Sequence, residues 1–199
     1  MKFVIFHGSF GHAQEHWFPV VTKSLSDFDQ AVIVPNFPCE DWDEMTKNGP
    51  DVKPQNQSLS SWLNVFDTIY KTFSEGDKLC FVGQSLGPLF ILHVVEKYNI
   101  QLDSAIFACP FLDSLDKFWQ ADIVNSTFYK TDFDFTKLKQ LIPTSYVLYS
   151  DNDPYVINEK SLDFANKLES SCIELKGAGH INKPENASLI YELCKTRIG

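Results

Sequence analysis

The sequence has no long hydrophobic run, and this absence bears on membrane association. No apolar stretch among its 199 residues approaches the 18 or more that a membrane-spanning helix needs. Met1-Lys2 leads directly into a predicted strand, and this start lacks the pattern of a signal peptide. We therefore expect a cytoplasmic protein without a membrane span.

Positive charge is also scarce. Lys and Arg total 17 against 26 Asp and Glu, so the formal net charge is -9 at pH 7. The acidic residues are spread along the chain rather than collected in a tail, which is typical of a soluble surface. A nucleic acid partner is not expected, because its phosphates would be repelled by this charge.

Paired cysteines are missing as well. The five cysteines are Cys39, Cys80, Cys109, Cys172 and Cys194, an odd number with no Cys-x-x-Cys spacing. This pattern argues against a disulfide framework or a zinc knuckle. It favours free, mostly buried thiols in a reducing compartment.

The pattern that is present is an alternation of short apolar runs with longer segments of helical period. It predicts a single domain over residues 1–199, with a parallel sheet covered by helices on both faces, a three-layer α/β/α sandwich. Six strands are predicted, over 3–7, 31–35, 79–82, 104–108, 145–149 and 171–175. Helices are predicted over 14–26, 58–73, 86–98, 159–168 and 184–197.

Two segments interrupt this alternation. Residues 38–57 are polar and contain three prolines, so we expect a surface loop between a strand and a helix. Residues 110–135 are unusually aromatic for a connection, which indicates that this segment packs over another part of the domain. No internal repeat or low-complexity segment marks a second domain.

The most informative motif is Gly83-Gln84-Ser85-Leu86-Gly87, which follows a predicted buried strand and opens a predicted apolar helix. A Gly-x-Ser-x-Gly sequence in that context is typical of a nucleophile elbow, whose tight turn exposes the serine hydroxyl at the sheet edge. The alternative is a glycine-rich turn that binds phosphate. Such loops usually carry more glycines or a lysine.

A serine nucleophile needs a base and an acid that orients the base, in this architecture in the order Ser, Asp or Glu, His. The strand over 145–149 is followed by Asp151 and Asp153, and the strand over 171–175 by a glycine-rich loop ending in His180. We expect His180 as base and Asp153 as acid. Asp151 is the rival carboxylate, and the alternative for His180 is an ordinary loop or capping residue.

Backbone N–H groups must also stabilise the oxyanion of the tetrahedral intermediate. Leu86, directly after the nucleophile, is one expected donor, and Ser9 or Phe10 in the loop after the first strand is the other. An alternative function for this loop is metal binding by His7, His12 and His16. We expect no metal, because Ala13 stands where a His-Glu-x-x-His pattern would have Glu and because Gly11 disfavours a helix that reaches back to His7. No cofactor is expected, since hydrolysis by a serine nucleophile requires none. His93 is expected to be a core residue.

Together these pieces resemble the α/β-hydrolase superfamily, and within it the small lidless serine hydrolases related to retinoblastoma-binding protein nine. The matching segments are Phe6-His7-Gly8-Ser9-Phe10-Gly11, His16-Trp17, 83–87, 150–154 and 177–180. The resemblance implies a triad of Ser85, Asp153 and His180, in which the position before Pro154 selects Asp153. It also implies a parallel sheet in the order 2-1-3-4-5-6 with right-handed crossovers.

The sequence therefore predicts a serine hydrolase that cleaves a small ester, thioester or amide through an acyl-enzyme. Its expected partner is a small-molecule acyl substrate, and no protein partner is indicated. Aromatic residues predicted to line the substrate pocket, with ordinary core packing as the alternative for each, are Phe10, Trp17, Phe111, Phe118 and Trp119. Two rival functions are a non-catalytic protein-binding module that retains the fold and a nucleotide- or phosphate-binding protein.

Overall fold

The computed structural model of the protein describes residues 1–198. Its centre is a six-stranded parallel sheet in the order β2-β1-β3-β4-β5-β6. The strands are β1 (Lys2–Phe6), β2 (Ala31–Ile33), β3 (Leu79–Gln84), β4 (Ser104–Ala108), β5 (Ser145–Tyr149) and β6 (Ser171–Glu174). The predicted order 2-1-3-4-5-6 is thus confirmed.

The structure contains eight helices within these residues. They are α1 (Phe18–Ser26), α2 (Trp42–Asn48), α3 (Leu59–Tyr70), α4 (Leu86–Tyr98), α5 (Trp119–Asn125), α6 (Phe135–Leu141), α7 (Asn158–Leu168) and α8 (Ala187–Lys195), the last preceded by a 3-10 turn, Pro184–Asn186. Helices α1 and α8 pack together on one face, while α3, α4, α6 and α7 form a continuous layer on the other. The three-layer architecture is confirmed. None of the helices in residues 1–198 combines the length and the apolar character that crossing a bilayer requires.

The central strands are buried on both faces, which explains their unbroken apolar sequences. Every residue of β3 and β4 is buried, and β1 is buried from Phe3 onward. Strands that are covered by helices on both sides cannot alternate polar and apolar side chains, because both sets of side chains contact the core.

The register of the sheet brings the carboxyl ends of four strands to one edge. Gln84 pairs with Ala108, Ala108 with Leu148, and Tyr149 with Glu174. The loops that follow β3, β4, β5 and β6 therefore leave the sheet side by side. In open parallel sheets this edge is where ligands bind.

The prediction of a loop over 38–57 is wrong in part, because α2 lies within it. Asp41 caps this helix by accepting a hydrogen bond from the Glu44 N–H at 2.8 Å. Asp43 and Glu44 occupy the first turn, where they complement the helix dipole. The polar composition of the segment concealed a short helix with a strong capping signal.

The aromatic segment 110–135 packs against the domain as predicted, since Phe111, Val124 and Phe128 are buried. It is not an irregular connection, however, because it contains α5. The following helix, α6, was also missed, although Asp134 caps it through the Lys137 N–H at 2.9 Å. Both helices have only seven residues, too few to show a clear apolar period.

One predicted helix begins later than expected. The helix predicted from residue 14 starts at Phe18, with a proline in its first turn. The residues before it form turns, and His16 has a φ of +59°. A residue in the left-handed region cannot belong to a right-handed helix, so the chain bends there before α1 begins.

Candidate active site

Ser85 lies in a sharp turn between β3 and α4. Its φ and ψ are +59° and -109°, a conformation that non-glycine residues rarely adopt. The Ser85 N–H donates to the Ala108 carbonyl oxygen at 2.9 Å, which ties the turn to β4. Strain at this position is the expected property of a nucleophile elbow.

The two glycines of the motif allow the chain to pass very close to itself. A Cβ atom at Gly83 would lie 2.7 Å from the Pro88 nitrogen, and one at Gly87 would lie 2.6 Å from the Phe6 carbonyl oxygen. Neither contact is compatible with a side chain, because both neighbours are main-chain atoms. The elbow conformation therefore requires glycine at both positions.

His180 and Asp153 form a close, largely buried pair. His180 Nδ1 lies 2.8 Å from Asp153 Oδ2 and 3.0 Å from Oδ1. The side chains are only 10% and 2% exposed, respectively. The structure thus brings together two residues that are 27 positions apart and that the sequence analysis had assigned to neighbouring strand ends.

The environment of Asp153 stabilises its ionised form. Burial acts to raise the pKa of this carboxyl, but hydrogen bonds and the charge of His180, together with hydrogen bonds from Cys109 and the Val156 N–H, outweigh burial and lower the pKa. The Tyr155 N–H also donates to Oδ1, at 2.8 Å. Asp153 is therefore held as a carboxylate by several donors.

Cys109 is the unexpected member of this group. It follows β4, is fully buried and has a φ of +51°. The Cys109 sulfur, a carboxylate oxygen of Asp153 and a ring nitrogen of His180 lie within 4.8 Å of one another. Burial and the nearby Asp153 raise the pKa of the thiol, so it remains a protonated donor. These are residue types that can bind zinc, but here the thiol and the imidazole both direct hydrogen-bond donors at the carboxylate.

The turn after β5 also holds the loop that carries His180. Asp151 Oδ1 accepts from the Gly177 N–H at 2.7 Å, and Asn152 Oδ1 accepts from the Gly179 N–H at 2.8 Å. Asp151 is thus engaged with the main chain of this loop, whereas Asp153 contacts the imidazole. Of the two carboxylates that the residue pattern left open, only Asp153 has the geometry to orient His180.

Ser85 and His180 line the same cavity, which has a volume of about 300 Å³. Its walls come from the loop after β1, the start of α2, α5 and the turn after β5. Apolar and aromatic lining residues are Phe10, Trp42, Leu115, Ala121 and Tyr155, and polar ones include Ser9, Glu15, His16 and Asn125. This combination is typical of a pocket for a small organic molecule.

The loop after β1 lies beside Ser85 and is anchored by a buried polar network. The Ser9 hydroxyl donates to Asn125 Oδ1 at 2.6 Å, and Gln57 Nε2 donates to the same oxygen at 2.8 Å. Phe10 and Gly11 instead direct their N–H groups at the Cys39 thiol, whose pKa burial raises to about 12. Leu86 is the first residue of α4, so its N–H is among those left unpaired within the helix.

A comparison with known protein families shows where this chain belongs. The model of the family described as "Serine hydrolase" matches residues 3–188, nearly the whole chain. The chain belongs to the serine hydrolase family. A hydrolytic activity on a small molecule follows from this membership, in agreement with the prediction from the sequence.

Individual relatives are consistent with this family. The chain is 28% identical to YdeN of Bacillus subtilis (strain 168) over 195 residues, which cover 95% of this chain and 92% of that protein. The crystal structure of the B. subtilis ydeN product superposes with a TM-score of 0.79 at 23% identity, over 100% of this chain and 99% of that one.

Solved structures of lower sequence identity share the fold. A monoacylglycerol lipase from Paleococcus ferrophilus has a TM-score of 0.69 at 13% identity, covering 97% of this chain and 91% of that one. Mouse alpha/beta hydrolase domain-containing protein 10 has a TM-score of 0.66 at 14% identity, covering 99% and 89%. These likenesses support the α/β-hydrolase fold.

Most of the aromatic residues predicted to line the pocket of this hydrolase lie outside the cavity wall. Phe10 lines the cavity, whereas Phe118 lies behind the lining, 5.0 Å from the ring of Tyr155. Trp17 and Phe111 are fully buried and, like Trp119, are absent from the lining. Of the five predicted pocket residues, only Phe10 therefore lines the cavity; Trp17, Phe111, Phe118 and Trp119 do not, because aromatic content cannot distinguish core side chains from cavity walls.

Two aromatic residues that do line the cavity were missed. Trp42 begins α2 and contacts Phe10 with a centroid distance of 5.0 Å, and Tyr155 lies 5.0 Å from the His180 ring. Trp42 was hidden in the segment expected to be a loop. Tyr155 could have been found from its position two residues after Asp153.

The three histidines that were considered as metal ligands contact the main chain or Glu15. His7 is fully buried, with Nδ1 2.8 Å from the Gly8 carbonyl oxygen and Nε2 accepting from the Phe37 N–H at 2.9 Å. Both ring nitrogens thus contact the main chain. His12 and His16 instead flank Glu15, at 2.9 and 3.8 Å from its carboxylate.

Proposed function

We propose that this serine hydrolase cleaves a small ester, thioester or amide through an acyl-enzyme on Ser85, with His180 as base and Asp153 as orienting acid. The observation that carries the proposal is the 2.8 Å contact of His180 with Asp153 at the rim of the cavity that Ser85 also lines. The strained elbow supports Ser85 as nucleophile.

Acylation begins when His180 Nε2 accepts the hydroxyl proton of Ser85 as Oγ attacks the substrate carbonyl carbon. The resulting imidazolium keeps its Nδ1–H directed at Asp153, whose negative charge stabilises it. The tetrahedral intermediate then collapses: the bond to the leaving group breaks, and that group takes the proton from Nε2. Ser85 Oγ remains bonded to the acyl carbon.

Deacylation repeats these steps with water as the nucleophile. His180 Nε2 takes a proton from the water molecule, and the hydroxide oxygen attacks the acyl carbon. Collapse of the second tetrahedral intermediate breaks the bond to Ser85 Oγ, which recovers its proton from His180. The carboxylic acid product leaves and the side chains regain their initial protonation states.

The oxyanion of both intermediates is proposed to accept hydrogen bonds from the Leu86 and Ser9 N–H groups. Leu86 lies at the positive end of the α4 dipole. Ser9 is favoured over Phe10 because the Phe10 N–H faces the Cys39 thiol. The bonds from the Ser9 side chain to Asn125 and from Gln57 to Asn125 hold this loop beside the elbow.

The decisive experiment is labelling with a fluorophosphonate, followed by digestion and mass spectrometry. We expect one adduct, on the peptide containing Ser85, and its loss in Ser85→Ala. Ser60→Ala, a change at an exposed serine, is the matched control and should leave labelling intact. Absence of any adduct on folded wild-type protein would refute the proposal and favour a binding module that retains the fold.

A further inference from the structure

Trp17 is a fully buried indole directly before α1, and it reaches the loop that carries His180. Its Nε1 donates a hydrogen bond to the main-chain oxygen of Ile181 at 2.9 Å, across 164 positions of sequence. Trp17 does not line the cavity. The indole N–H of Trp17 thus binds Ile181, the residue directly after the proposed base His180.

Ile181 has a backbone that needs such support. Its φ is +46°, in the left-handed region where a β-branched residue is strongly disfavoured. Strained conformations of this kind persist only where surrounding contacts determine them. Ile181 is itself fully buried, so its carbonyl oxygen would lack water to replace a lost donor.

The His180 loop is held on both sides, by different elements. Before His180, the N–H groups of 177–179 bond to the turn after β5. At His180 itself, Gln84 Nε2 donates to the carbonyl oxygen at 3.3 Å. After it, the Trp17 bond is shorter, at 2.9 Å, and buried. The two sides together restrict the position from which the imidazole extends.

We propose that Trp17 is a positioning residue, whose indole N–H holds the Ile181 peptide so that His180 keeps Nδ1 on Asp153 and presents Nε2 to Ser85. This inference rests on the proposed role of His180 as the base. It assigns a role to the His16-Trp17 pair: the histidine lines the cavity, and the tryptophan fixes the catalytic loop.

The test is Trp17→Phe, which removes the N–H donor and keeps an aromatic ring. Small displacements of catalytic groups lower the rate of the chemical step, so we expect kcat to fall by about 10- to 100-fold. KM should stay near the wild-type value, because Trp17 does not touch the cavity. Incorporation of β-(3-benzothienyl)alanine at position 17 replaces the N–H by sulfur at nearly constant shape and provides a second variant should Trp17→Phe fail to fold.

Trp62→Phe is the matched control. Trp62 is equally buried, and its Nε1 donates to the Pro38 carbonyl oxygen at 2.8 Å, away from the His180 loop. The Trp62→Phe variant measures how much the loss of a buried indole N–H donor lowers stability when the donor does not contact the His180 loop. We expect Trp62→Phe to lower the melting temperature and keep the wild-type kcat. An equal kcat in the Trp17 and Trp62 variants would overturn the inference.

A readout that does not depend on turnover separates this inference from the proposed function. The His180 Nδ1–H proton, assigned through its loss in His180→Gln, should give a low-field proton NMR signal in the wild type. Solvent exchange should broaden this signal in both position-17 variants but not in Trp62→Phe. An unchanged signal in the position-17 variants would show that the Trp17 hydrogen bond does not hold His180 in place. If wild-type protein is not labelled by fluorophosphonate, the proposed function fails, and the NMR comparison still decides whether Trp17 holds the loop.

Discussion

His180 Nδ1 lies 2.8 Å from Asp153 Oδ2, and the Cys109 thiol approaches the same carboxylate from the end of the neighbouring strand. Burial alone would favour the neutral acid. Since several donors converge on it, the carboxylate remains charged and aligned with the imidazole. This relationship sets the expected effects of substitutions around the site.

Asp153→Asn should abolish most turnover while the protein remains folded. An amide cannot hold the imidazole in the required tautomer, so kcat should fall on the order of 10⁴-fold. Asp151→Asn is the control, because its amide oxygen can still accept from the Gly177 N–H. Steady-state kinetics on an activated ester would measure both. Equal losses in the two variants would contradict the assignment of Asp153.

Cys109→Ala should weaken catalysis modestly by removing one donor from Asp153. A hydrogen bond worth about 1 kcal/mol corresponds to a roughly fivefold lower kcat, with KM unchanged because Cys109 does not line the cavity. Cys109→Ser retains a donor and should keep most of the activity. Cys172→Ala, at an exposed thiol, should have no effect. The idea fails if Ser and Ala at position 109 are equally impaired.

His7 should make the protein less stable in mild acid. Burial lowers its pKa from 6.5 to about 4, so between these values the unfolded chain binds a proton that the folded chain does not. The free energy of unfolding therefore falls as pH decreases, with a contribution from His7 of about 2 kcal/mol between pH 7 and pH 5.

Urea unfolding at the two pH values would measure this effect. His7→Gln should have a smaller loss of stability on acidification than the wild type, since its side chain does not titrate. Identical pH slopes for wild type and His7→Gln would show that the burial of His7 is not responsible.

We expect the volume of the cavity to limit the size of the acyl group. About 300 Å³ accommodates about ten non-hydrogen atoms, if each occupies the ~30 Å³ of a water molecule. For a series of p-nitrophenyl esters, we expect kcat/KM to decline once the acyl chain exceeds this size.

Ala121→Leu, in the cavity wall, should shift that limit to shorter chains and leave acetyl ester hydrolysis nearly unchanged. Ala165→Leu, a similar enlargement at a buried position in α7, should not alter the chain-length profile. Efficient hydrolysis of long-chain esters by both variants would show that the acyl group binds elsewhere.

Much of the fold could be predicted from the sequence because the relevant signals are local. The strands β4 and β5 have the predicted bounds, since each is a short, largely apolar run that begins at a serine. The short helices α2, α5 and α6 were missed, because seven residues contain too few turns for a recognisable apolar period. Capping residues were the available signal for two of them, Asp41 for α2 and Asp134 for α6, whereas α5 has no side-chain cap.

By itself, the sequence determined the parallel α/β architecture and the order in which a serine, a carboxylate and a histidine follow three strands. Glycines at 83 and 87 and the apolar strands encode these features through local sterics and burial. Only the tertiary structure decided that His180 contacts Asp153 rather than Asp151, that Trp17 lies in the core with its N–H on Ile181, and that Cys109 faces the carboxylate. These contacts join residues far apart in the chain, so they depend on strand register and side-chain packing, which no local pattern records.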